Sequence, residues 1–158
     1  VINTETFRYD GNTLKIPTLT NKSPTSVPFN PKNTLLYVDT VRGAPGDGNL
    51  SLTAALKLAL KADQLSLTNN EEASDFTIRG NVLVGKKSNN QQLVKITWTI
   101  TTKDGAEIGK AVQTNKVPAG RLNAEWGILS DLISDAAVFG IAKLCKLPQN
   151  NRIIDSPN

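Results

Sequence analysis

The segment QLVKITWTITT, residues 92–102, alternates so regularly that it settles most of the architecture. Val94, Ile96, Trp98 and Ile100 fall on one side of an extended chain; Lys95, Thr97, Thr99 and Thr101 fall on the other. A strand with one apolar and one polar face belongs to a sheet with one side in water. The apolar side then needs a second layer to cover it.

Two neighbours supply the rest of that sheet. In DFTIRGNVLVG (75–85), Phe76, Ile78, Val82 and Val84 face one way, and Thr77, Arg79 and Asn81 the other. Gly80 lies on the apolar side, which implies a bulge or a close contact. EIGKAVQTNKV (107–117) is a third strand with weaker alternation. SNNQ and the Asp104–Gly105 pair turn the chain between them, giving an antiparallel meander. TLLYVDTV (34–41) is a compact apolar run suited to an inner strand, and QLSLTN (64–69) to a short edge strand.

Two helices provide the cover. Leu52, Ala55, Leu56, Ala59 and Leu60 make one buried stripe on a helix from about Asn49 to Ala62, capped by Asp47 or Asn49. Trp126, Leu129, Ile133, Ala136, Gly140 and Leu144 make another on a helix from about Asn123 to Lys146. There Asn123 is the expected cap, Glu125 sits at the positive end of the dipole, Lys143 and Lys146 sit at the negative end, and Pro148 stops the helix. The order is β-α-(β)-β-β-β-α. It predicts an α+β fold: a two-layer α/β sandwich, mostly antiparallel, with two helices on one face of the sheet. Residues 34–147 form this domain. Residues 1–33, rich in Pro, Asn, Thr and Ser, read as an extended or flexible arm with a hairpin signal at 6–16. Residues 148–158 read as a tail.

Little in the chain points to catalysis. Histidine is absent, which removes the commonest general base and zinc ligand. Cys145 is the single cysteine and reads as a buried thiol. Asp131 and Asp135, four apart on the last helix, read as a solvated face; a hydrolase centred there or at Glu125 is the least favoured reading. Trp98 and Trp126 read as core. No metal site, cofactor or catalytic residue is expected.

The net charge is +4, and no run of about 18 apolar residues occurs. Residues 1–33 carry four basic and two acidic groups, residues 34–147 thirteen and eleven, and the tail one of each. Along the sequence there is no basic stripe, so nucleic acid is not an expected partner. Lys86–Lys87 is the densest basic spot and reads as a solvated hairpin tip.

VRGAPGDGN (41–49) stands between a strand and a helix, where phosphate-binding loops begin. Its Gly43-to-Gly48 spacing fits a P-loop, but Asn49 and Leu50 stand where Lys and Ser/Thr are needed. Gly43, Gly46 and Gly48 also fail the dinucleotide spacing. The loop is read as a turn. An anion site on Gly46, Gly48 and Asn49 at the helix N-terminus is the alternative.

From ASDFTIRGNV through LVKITWTITTKDGAEIG to the closing helix, the chain resembles a pattern of bacterial envelope lipoproteins. These include the TolB N-terminal domain, peptidoglycan-synthase activators, the curli secretion lipoprotein and LptE. The segments V-x-G-A-P-G-D-G (41–48) and V-P-A-G-x-L-x-x-x-W-G (117–127) are similar to those of uncharacterised alphaproteobacterial envelope lipoproteins. The resemblance implies a non-enzymatic periplasmic domain that binds another envelope protein or a polymer. It also implies a tether to the outer membrane through a lipidated cysteine upstream of Val1, the only membrane contact expected. Arg42, Asp47, Arg121 and Asn123 are the expected partner-binding residues; a small-ligand or anion-binding domain is the alternative.

Overall fold

The computed structural model describes residues 34–147 and three strand segments before them. The strands are β1 (Thr6–Tyr9), β2 (Asn12–Lys15), β3 (Thr18–Asn21), β4 (Leu35–Val38), β5 (Ser66–Leu67), β6 (Phe76–Val84), β7 (Gln91–Thr102) and β8 (Glu107–Pro118). The helices are α1 (Gly48–Ala62) and α2 (Ile128–Leu144). β1 and β2 pair as an antiparallel hairpin within the 6–16 segment. The rest of the expected arm, the tail and Pro148 lie outside the described residues.

The sheet has six strands in the order β3-β8-β7-β6-β4-β5. β6, β7 and β8 form the predicted antiparallel meander. β4 pairs in parallel with both β6 and β5, so the connection through α1 is a crossover. β3 pairs with β8, which takes residues 18–21 out of the arm and into the domain's sheet.

The alternation does what a half-wet sheet requires. Ile78, Val82, Val94, Ile96, Trp98, Ile100 and Ala111 are buried on one face. α1 lies against β4 and β5, α2 against β7 and β8, and the helices pack on each other. Both therefore cover the same side, as two layers. Each fully buried large apolar side chain here contributes about 1.5–3 kcal/mol. Gly80 is not at a bulge, since β6 and β7 pair without a shift from Phe76 to Val84. It is a close contact: a Cβ there would lie 2.6 Å from Trp98 Cζ3 and 2.9 Å from Val41 Cγ2.

β8 alternates weakly because Gln113 and Asn115 occupy inward positions, where both are buried. Gln113 Oε1 accepts from Trp98 Nε1 at 2.7 Å, while its Nε2 donates to the Ile133 carbonyl at 3.1 Å. One amide thus ties the sheet to the middle of α2 and satisfies the buried indole N–H.

Both ends of α2 differ from expectation, while α1 starts as expected except for its cap. α1 begins at Gly48, so Asn49 lies inside it, and Asp47 holds the N-cap position without making a side-chain cap bond. α2 begins at Ile128, not Asn123; residues Arg121–Asn123 form a separate 3-10 turn. Glu125 therefore precedes the helix, and Asp131 is the acidic residue of its first turn. At the other end Lys143 lies in the last turn and Lys146 beyond it.

Candidate functional site

The two distinctive segments, 41–48 and 117–127, meet at one end of the domain. The first leaves the sheet after Arg42, whose N–H donates to the Gly80 carbonyl and whose carbonyl accepts from Val82. Gly43 (φ +88°) turns the chain there; a Cβ would meet the Val82 carbonyl oxygen at 2.3 Å. Val41 N–H is held by Thr53 Oγ1 of α1, and Ala44 N–H by Asn49 Oδ1. The loop is fastened to its own helix at two points.

The second segment then closes over the first. Asp47 Oδ1 accepts from Trp126 N at 2.9 Å. Trp126 Nε1 donates to the carbonyls of Pro45 and Leu122, both at 3.0 Å. The indole is fully buried and lies on Gly48, where a Cβ would be 2.5 Å from Cε2. Gly46 (φ +60°) faces the carbonyl oxygens of Ala124 and Leu122. Arg121 reaches back to the carbonyls of Glu125 (2.7 Å) and Trp126 (3.3 Å).

Of the four expected contact residues, Asp47, Arg121 and Asn123 belong to the two segments that meet at Trp126, whereas Arg42 stays at the sheet beside Gly80 and Val82; their roles are unequal. Asp47 and Arg121 direct their polar atoms at the chain itself. Arg42 and Asn123 are exposed. Two further side chains, in the first turns of α1 and α2, are exposed: Leu50, 73% exposed, and Ile128, 57% exposed. Each lies two residues beyond the Gly48–Trp126 contact. Helical periodicity gave the only available signal, since neither falls on its helix's inner stripe.

The space an anion would need above Gly46, Gly48 and Asn49 is differently furnished. Gly48 N–H donates to Pro45 O, and Asn49 Oδ1 is taken by Ala44. Carbonyl oxygens and the Asp47 carboxylate face the loop, and oxygens of that kind repel an anion.

The remaining candidates lie outside the Asp47–Trp126 contact. Asp131 and Asp135 are exposed along a shallow hollow between α1 and α2, lined also by Ala55, Leu58, Ala59 and Ala62. Among the described residues, no group of three or more His, Cys, Asp or Glu is placed to hold a metal. Nor is any helix among them long and apolar enough to cross a membrane. Cys145 is buried, and burial pushes its thiol pKa far up. Such a thiol is a poor nucleophile.

No protein-family model matches the chain, and no curated protein matches its sequence. Among solved structures, a PelC point-variant dodecamer from Paraburkholderia phytofirmans aligns with 81% of this chain and 97% of its own. Its TM-score is 0.51 and its identity 11%. A second PelC dodecamer structure from that organism aligns over 78% and 95%, with a TM-score of 0.51 and 12% identity. A DUF4136 family protein from Bacteroides thetaiotaomicron aligns over 83% and 95%, with 10% identity and a TM-score of 0.34. The PelC likeness is one of fold: a two-layer α+β sandwich shared across nearly the whole of that chain.

Proposed function

We propose that this protein is a non-enzymatic binding domain of the bacterial cell envelope, periplasmic and held at the outer membrane. It engages another envelope protein through the end where segments 41–50 and 120–128 meet. The observation that carries this reading is that Leu50 and Ile128, in the first turns of α1 and α2, are both exposed, while the Asp47–Trp126 hydrogen bond joins the starts of those helices and exposed Arg42 and Asn123 lie in the segments leading into them. Isolated exposed apolar residues are ordinary on any surface. Two in the first turns of packed helices, with charged and amide groups in the segments leading into those helices, supply the residue types of an apolar centre and a polar rim. Asp47, Trp126 and Arg121 then serve to hold that surface rigid. The envelope location rests on the sequence resemblance, and the PelC fold likeness is compatible with it.

The test is a photo-crosslinking residue placed at Leu50 in cells, with one at Lys103, in the turn after β7, as control. A discrete adduct at Leu50, lost in the Ile128→Asp background and missing at Lys103, supports the reading. Equal labelling at both positions, or none at Leu50, overturns it. An adduct of twice the chain mass would make the partner a second copy.

A further inference from the structure

Between Asp75 and Asp104 the sequence carries five basic residues and no acidic one. Read linearly these charges are scattered; strand pairing brings three of them, Lys86, Lys87 and Lys95, to one end of the sheet and adds Lys116 from β8. On the outer, helix-free face of the sheet, Leu83 stands opposite Lys95, and Leu93 opposite Lys116. The two rungs are neighbours. Leu83 is 59% exposed and Leu93 45% exposed. Gly85 lies under Leu93, so no side chain shields it from that strand.

The hairpin beyond adds two more lysines. Val84 pairs with Val94 and Ser88 with Gln91, so the outgoing arm has one residue more than the returning arm. The extra residue falls at Lys86–Lys87, as a bulge, and both side chains are exposed. Asn89 and Asn90 take positive φ (50° and 59°) and close the turn. None of these four lysines takes part in an ion pair among the described residues; those pairs involve Arg79 and Lys110.

We propose that this end of the sheet docks onto an anionic lipid bilayer, with Lys86, Lys87, Lys95 and Lys116 at the headgroup phosphates and Leu83 and Leu93 entering the interface. The charge would suit any polyanion. The leucines decide for lipid: a soluble polyanion or nucleic acid satisfies the lysines but leaves both leucines in water, whereas a bilayer offers phosphate and hydrocarbon side by side. This surface is distinct from the one around Leu50 and does not depend on it.

The test uses the full chain and co-sedimentation with vesicles, at low salt. One set is an equal mixture of phosphatidylglycerol and phosphatidylcholine, the other phosphatidylcholine alone. Binding is expected to the anionic set only. K86Q/K87Q is expected to lower partitioning about 25-fold, each lysine near an anionic surface being worth about five-fold. L83S/L93S, with unchanged circular dichroism, is expected to lower it at least about ten-fold, since two apolar side chains are withdrawn from the interface. Leu58→Asp, at an exposed position on α1, is expected to change nothing. No binding, equal binding to neutral vesicles, or unaltered binding by either double variant overturns the proposal. Unaltered binding by L83S/L93S alone would identify a purely electrostatic polyanion site instead.

Discussion

The Asp47 carboxylate accepts the backbone N–H of Trp126 at 2.9 Å, across 79 residues of sequence. This contact joins the starts of the two helices. It also accounts for the late beginning of α2, because the residue that caps nothing locally fixes the chain just ahead of Ile128.

Removing that acceptor is expected to cost stability. Asp47→Ala leaves a partly buried N–H without a partner and should lower the unfolding free energy by about 1.5–3 kcal/mol. Asp47→Asn keeps an acceptor oxygen and should lose less. Urea denaturation followed by Trp fluorescence measures both, and equal losses would remove the hydrogen bond as the cause.

Gly80→Ala tests close packing at the centre of the sheet. The added methyl has no room between Trp98 and Val41, so a loss of about 1–3 kcal/mol is expected. Gly105→Ala, in a turn with nothing within 4 Å, should cost only about 1–2 kcal/mol, from its φ of +84°. The two separate by cause: a crystal or NMR structure of the first should show a displaced Trp98 ring, and of the second no shift in the core.

Gln113→Leu keeps the volume of the side chain but strands the Trp98 indole N–H. A loss of about 1–3 kcal/mol is expected, together with a moved and faster-exchanging indole resonance for Trp98. The Trp126 indole, bonded to Pro45 and Leu122, should stay in place. Movement of both signals alike would indicate general loosening rather than a lost bridge.

Cys145 gives the expected pH dependence. Its thiol pKa is raised in the folded protein by burial, whereas an unfolded cysteine ionises near about 8.5. The folded state therefore binds the proton more tightly than the unfolded state at high pH. Its contribution is complete below about pH 8 and declines above that, by about 1.4 kcal/mol per pH unit. Cys145→Ala should abolish this alkaline slope in denaturation experiments between about pH 8 and 10. In the native protein the thiol should resist alkylating reagents until denaturant is added.

Much of the fold was legible because its signals are local. Period-two alternation marked β6 and β7, and a 3.6-residue stripe marked α1, since each face must match one environment along its length. β8 was blurred where Gln113 sits among apolar neighbours; its reason for being inside is Trp98, 15 residues away, and the Ile133 carbonyl, 20 away. The start of α2 was misplaced for the same kind of reason. Asn123 and Glu125 have the look of a cap, but the chain there is held by Arg121 and by Asp47.

The candidate site was legible only in part. The segments that carry Asp47, Arg121 and Asn123 do meet, through Trp126, yet exposed Leu50 and Ile128 of the adjoining helix turns were visible only as residues off a stripe.

By itself the sequence determined which side chains face the core and how many layers must enclose them, because burial is decided residue by residue from local periodicity. Only the tertiary structure decided that β4 runs parallel to β6, that the glycine loop is filled by Trp126, and that dispersed lysines share one sheet end with Leu83 and Leu93. Those facts depend on pairing between distant segments, and hydrogen-bond register and ring contact carry no periodic trace in the residues that make them.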